Sequence, residues 1–278
     1  MPRKLPGLKS AVITLAAYIV AVIFLLPYLE MLVTSVRPNK ELYDADYLPH
    51  HFAWSNLTNM WGSAYGITQS LVTSLEIALG ATLLVLLVAL PAAYYTARRR
   101  FRGRGAFLVL VLATQILQPT ALIIGIYQEV LKLHLLSASP VWSLILVNAG
   151  FNMAFAIWIL TAYIGSIPAE LEEAAMVDGT GRLGALRRVT APLAMPGIVT
   201  ALIFTFIAAW NEFITALTLV SNTSQFPLSV RMDSFIGAYT IDWQHLFGAS
   251  VVATLPVFIL FALIEGRVVG GLTAGSIR

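Results

Sequence analysis

The sequence predicts an all-α, polytopic membrane protein with six transmembrane helices. Three observations carry that prediction: composition, the recurrence of long apolar runs, and the placement of basic residues. The 278 residues are 58% hydrophobic and only 11% charged, with a mean hydropathy of +0.81, whereas soluble globular domains carry roughly a quarter charged residues. A bilayer core of about 30 Å is crossed by roughly 20 apolar residues of helix. Runs of that order recur at about 12–33, 71–97, 106–127, 141–163, 198–220 and 246–264.

Arg3, Lys4 and Lys9 precede the first run and could form the charged start of a signal peptide. The apolar stretch is too long for one, and it exits into Thr34-Ser35-Val36-Arg37-Pro38 without a small-residue cleavage site, so an uncleaved helix is expected. With the N-terminus placed in the cytoplasm, 13 of the 17 basic residues fall inside, leaving only Arg37, Lys40, Lys132 and Arg231 outside. The positive-inside rule then predicts an even number of spans and both termini cytoplasmic. This placement also explains the net charge of +3 without nucleic acid. The expected organisation is a first segment, 1–69, holding the N-terminus, the first span and an outer loop. A core follows over 70–265 with a long inner loop at 164–196, and a cytoplasmic tail closes the chain at 266–278.

The chain has no cysteine, which excludes disulfides, thiolate nucleophiles and cysteine metal sites. His50, His51, His134 and His245 lack ligand spacing, so no metal site is assigned. The outer loops, roughly 36–69 and 221–245, are rich in aromatics, among them Tyr43, Tyr47, Phe52, Trp54, Trp61, Tyr65, Phe226, Phe235, Tyr239 and Trp243. They fit an interfacial belt or a docking and sugar-stacking surface, and the sequence does not separate the two. Asn56-Leu57-Thr58 and Asn222-Thr223-Ser224 match the glycosylation pattern and read as chance matches.

The inner loop reads SIPAELEEAAMVDGTGRLGALRRVTAPLAMPG, which predicts a short helix, a break, a second helix and a stop. Pro168 suits the first turn, and Glu170, Glu172 and Glu173 sit at the positive end of the helix dipole. Leu171, Ala174, Ala175 and Asp178 share one face, and Gly179 can end the helix. A helix lying on the bilayer should be basic with bulky apolar anchors. This one is acidic and Ala-rich, as suits a helix seated in a protein groove.

Here the chain resembles the inner-membrane permeases of binding-protein-dependent ABC importers. Their signature is EAA, three residues, Gly, nine residues, then Ile-x-Leu-Pro. The chain has Glu173-Ala174-Ala175, Gly179 and, nine residues later, Val189-Thr190-Ala191-Pro192. Asp178 before Gly179 is similar to the carbohydrate branch, as are LPYLEMLVTSVRP, AAYYTARRRFRGR, Trp210-Asn211-Glu212-Phe213 and the GLTAGSIR end, which together resemble the second permease of maltose-type importers. The resemblance implies a type I permease in the inner membrane that couples to a separate ATPase. It carries the coupling role onto Glu173, Ala174, Ala175, Gly179, Val189 and Pro192, with Glu172 and Asp178 beside them. It implies as partners a second permease, a dimer of ABC ATPases, an external solute-binding protein or lipoprotein, and membrane lipid. ATP and Mg would be used by the ATPase, with no cofactor bound by this chain. No Gly-Lys pair exists anywhere, so the phosphate-cradling loop is missing.

Ionisable and amide groups inside spans are costly and flag candidate pathways. Glu212 lies near the middle of the fifth run beside Trp210 and Asn211; Asn148 and Asn152 lie one turn apart in the fourth, and Gln115 and Gln118 in the third. They could line a translocation pathway or make helix–helix hydrogen bonds. Pro91, Pro119 and Pro256 predict kinks. An ion- or proton-coupled secondary transporter is the competing reading, but no inverted repeat is evident. A membrane enzyme would need a catalytic constellation that the chain does not offer.

Overall fold

The computed structural model describes residues 8–274 except 43–45, 47 and 63. Arg3, Lys4, Tyr43, Tyr47 and the terminal Gly275-Ser276-Ile277-Arg278 therefore lie outside the described residues. The helices that frame the sites are, in chain order, α1 (Leu8–Ser35), α2 (Ile67–Arg98), α3 (Arg104–Thr114), α4 (Pro119–Lys132), α5 (Pro140–Ser166), α6 (Glu170–Val177), α7 (Met195–Trp210), α8 (Ile214–Leu219) and α9 (Trp243–Ala274). Among the described residues there is no strand, only an isolated bridge between Ile236 and Ile241. Four helices, α1, α2, α5 and α9, are long and apolar enough to cross a membrane, and the total reaches six when each of two bent pairs is counted as one span.

The first of those pairs interrupts the third expected span, and the second, Arg182–Leu193 with Met195–Trp210 bent by 78°, leads from the long loop into the fifth. The run at 106–127 is α3 and α4, which meet at 95° across Gln115–Gln118. Pro119 is not a kink inside a helix but the first residue of α4, and Gln118 before it is extended (φ −71, ψ 142), as the clash of a proline ring with the preceding residue demands. The run at 198–220 stops at Trp210 and resumes as α8, so Glu212 sits in a helix break rather than within a continuous span. Pro91 and Pro256 do lie inside continuous helices.

By its contacts the chain falls into two units, Met1–Ile67 with Met232–Leu255 and Thr68–Arg231 with Pro256–Arg278. In the first, Asn56 Nδ2 donates to the carbonyls of Ser35 and Arg37 at 3.3 and 3.1 Å, which fastens the outer loop to the end of α1. Tyr65 stacks on His245 with ring centroids 4.2 Å apart, and Phe235 packs against both rings, while Tyr239 is almost wholly exposed. Asn222 of the second glycosylation match accepts from the backbone and hydroxyl of Ser224. Both matched asparagines thus have local structural partners.

In the second unit α2 turns Ala78, Ala81, Val85, Ala89 and Ala93 inward, all fully buried, and Leu79, Leu83 and Leu87 outward. Lipid gives leucines no reason to hide, so close helix packing falls to small residues. Helix α7 packs on α5, where Gly197 lies under the Tyr163 ring and any Cβ would overlap it. A core of Ile77, Leu144, Ile145, Ala216 and Leu219 ties α2, α5 and α8 together.

Candidate functional sites: a pinned loop helix and a cavity at two helix breaks

Helix α6 begins at Glu170, two residues after Pro168. Its end is built by Gly179, whose φ of +86 lies in the left-handed region that glycine enters without a Cβ penalty. Gly179 N–H donates to Met176 O and Thr180 N–H to Ala175 O, each at 3.1 Å, the paired bonds of a Schellman cap. The Thr180 hydroxyl also donates to Ala175 O. The chain then turns through Arg182–Ala185 into a π-helical turn at Leu186–Thr190, where Ala191 N–H reaches back five residues to Leu186 O. Pro192 follows two residues after that turn, and a widened turn relieves the clash of its ring with the preceding carbonyls.

One face of α6 is bonded inward through Glu172, which is 4% exposed. Its Oε1 accepts from Thr190 Oγ1 at 2.6 Å and Arg98 Nε at 2.7 Å, with Arg98 Nη2 also 2.7 Å away, and its Oε2 accepts from Tyr94 at 2.9 Å. Arg98 Nη1 donates in turn to Ile167 O at 2.8 Å. Burial alone would raise the Glu172 pKa; the bonds from Thr190, Arg98 and Tyr94 and the Arg98 charge outweigh it and hold the carboxyl below the usual carboxylate range. The carboxylate therefore pins α6 to the C-terminal end of α2 and to the π turn.

The opposite face is open. Glu173, Ala174 and Asp178 are exposed and Ala175 half-buried, while Val177 and Leu183 are 87% and 78% exposed. Val189 is half-buried and Pro192 exposed. Glu173, Ala174 and Asp178 of the signature segment are thus accessible, while Glu172, grouped with them by sequence, is buried. Sequence reasoning missed Tyr94, Arg98 and Thr190. The first two stand in the AAYYTARRRFRGR run, but nothing local says that they meet a residue 74 or 78 positions further on.

The second site is a cavity of about 210 Å³ in the membrane unit, lined by residues of both helix breaks, Gln115, Gln118, Glu212 and Thr215, and by Asn148, Phe151 and Asn152 of α5. Glu212 caps α8: Oε1 accepts from Thr215 N–H at 2.6 Å and Oε2 from Ala216 N–H at 3.0 Å. A carboxylate so placed satisfies backbone donors orphaned by the break. Ser229 Oγ donates to Glu212 O at 2.8 Å and holds the break from the far side. Asn148, Asn152 and Glu212 are therefore brought together. Trp210 is not among the lining residues; it is buried and stacked on Phe206 at 5.8 Å. Asn211 is exposed and also outside the lining.

The model of the binding-protein-dependent transport system inner membrane component family matches residues 85–269. The chain is 34% identical over 267 residues to the sulfoquinovosyl glycerol transport system permease protein of Agrobacterium fabrum, covering 95% of this chain and 92% of that one. It is 29% identical over 261 residues to a diacetylchitobiose uptake system permease protein of Streptomyces coelicolor, covering 93% and 85%. In fold it matches a chain of a bacterial ABC transporter involved in the import of the acidic polysaccharide alginate, with TM-score 0.78, 20% identity and coverage of 95% and 99%. A helical membrane core, a capped EAA helix on an inner loop and these likenesses lead to one conclusion: this chain belongs to the binding-protein-dependent transport system inner membrane components, as a multi-pass permease of an ABC transporter and not itself an enzyme.

Proposed function

We propose that the chain forms half of the translocation pathway of an ATP-driven importer for a small carbohydrate such as a disaccharide, and that α6 couples it to a separate ATPase. The observation that carries the coupling is the contrast between the two faces of α6. Glu172 bonds one face to the permease body, while Glu173, Ala174 and Val177 leave the other open. Apolar side chains exposed on a soluble loop call for a protein partner, and alanines let that partner approach closely. A helix clamped to the body on one side moves with whatever grips the other, which is how nucleotide-driven closure would reach the spans.

The carbohydrate reading rests on relatives named for sulfoquinovosyl glycerol and diacetylchitobiose transport. The partners that follow are a second permease, a dimer of ATPases that binds ATP and Mg, and an external solute-binding protein. The chain lies in the cell's inner membrane with both termini cytoplasmic. The pathway runs past Asn148, Asn152 and Glu212, with Trp210 and Asn211 supporting the same break.

Because the chain has no native cysteine, single cysteines at positions 174–178 test the coupling role. In the assembled transporter they should crosslink to the ATPase, and the yield should change with bound nucleotide. Free labelling of all five by a soluble thiol reagent in that complex would sink the proposal.

A further inference from the structure

We infer that the cavity at the two helix breaks is a subsite for one uncharged, hydroxyl-rich ring and that it rejects anionic solutes. This deepens the carbohydrate reading above and rests on it. Among the lining residues Glu212 is the only ionisable one, and both its oxygens are already committed to backbone N–H groups of α8. No lysine or arginine lines the space. An anion would leave water for a site without a cation and beside an acid, a placement that low dielectric penalises heavily.

The remaining polar groups suit hydroxyls. Asn148 Nδ2 donates to Leu144 O at 2.9 Å, Asn152 Nδ2 to Asn148 O at 2.8 Å, and Gln115 Nε2 to Phe151 O at 3.0 Å. Each amide is thereby held in one orientation, and its side-chain oxygen accepts no hydrogen bond among the described residues. Thr215 lines the cavity while its Oγ1 is closed off from solvent, so the acceptors offered to a ligand are the three amide oxygens. Phe151 adds an apolar face for a ring. At about 210 Å³ the space falls below the roughly 300–1,000 Å³ of sites for drug-sized ligands, which suits one ring better than a chain.

Two measurements on the assembled transporter in proteoliposomes test this. Ala208, a small lining residue, is replaced as Ala208→Cys and labelled with cationic and anionic methanethiosulfonates, each rate normalised to a free thiol. The cationic reagent should react at least about tenfold faster; equal rates, or a faster anionic reagent, overturn the charge exclusion. ATP-dependent uptake is then measured with neutral disaccharides (maltose, cellobiose, trehalose) and with digalacturonate. Import of digalacturonate at a comparable kcat/KM also overturns it. Asn152→Leu should raise KM for the imported neutral sugar about tenfold, the loss of one hydrogen bond, and Asn152→Gln should recover part of it. An unchanged KM in Asn152→Leu removes the amide contact from the proposal. If ATP is hydrolysed and neither sugar class is imported, the carbohydrate reading fails, and the labelling ratio still decides the charge selectivity of the subsite.

Discussion

The node around Glu172 and the cavity around Glu212 each centre on a carboxylate in or just before the first turn of a short helix, and they treat it differently. Glu172 is bonded by side chains from two other segments, Tyr94 and Arg98 of α2 and Thr190 of the π turn. Glu212 is bonded by its own chain, three and four residues ahead. The first carboxylate therefore joins elements that could otherwise move apart, whereas the second only shapes the end of one helix. Around Glu172 three side chains converge on the carboxylate; around Glu212 the amide oxygens of Asn148 and Asn152 accept no hydrogen bond among the described residues at the cavity. A buried network of charge and hydroxyls stiffens a joint. Open acceptors beside a cavity leave room for a ligand.

The largest effect should come from breaking the joint. Arg98→Ala leaves Glu172 buried without its cation, which costs about 3–5 kcal/mol. Thermal unfolding of the purified chain should show the loss, with hydrogen exchange concentrated on residues 167–193. The paired replacement of Arg98 by Met and Glu172 by Leu should recover much of it, because the unpaired charge is gone. If Arg98→Ala melts like the native chain, the joint does not hold α6.

Gly179→Val tests the cap with less effect. A β-branched residue at φ +86 costs about 1–2 kcal/mol, and the helix end should loosen while the Glu172 node stays closed. The expected outcome is transport falling further than ATPase binding, read by uptake and by co-purification of the complex. Wild-type uptake in this variant would separate the cap from coupling.

The smallest effect is acid sensitivity. Glu172 has a lowered pKa in the fold, so its contribution is full above the ordinary value of 4.5 and is lost as pH falls through the folded value. Amide protection of α6 should hold from about pH 7 to pH 5 and decline below. Glu172→Gln should flatten that decline, and an unaltered profile in the variant would assign it to other groups.

Much of this was readable in advance where the signal is local. The left-handed Gly179 follows from a glycine after an acidic, Ala-rich helix, and the accessible face of Ala174 and Asp178 follows from their spacing. The third and fifth runs were expected, but not that Pro119 begins a new helix or that the fifth stops at Trp210. Hydropathy sums apolar residues and is indifferent to direction, so Gln115–Gln118 and Asn211–Phe213 passed as interior positions. Pro119 carried the missing information, since a proline with an extended residue before it starts a helix as readily as it kinks one.

By itself the sequence determined the class of the molecule, its apolar helices and the position of the EAA motif, because hydropathy, helical period and a glycine cap are properties of neighbours along the chain. The tertiary structure decided which acid is a joint and which is a cap. Glu172 and Glu173 are adjacent and alike in composition, yet one meets Arg98 and Thr190 while the other stays exposed. That choice is made by partners 74 and 18 residues distant, and only folding brings a charge and its counter-charge out of water together.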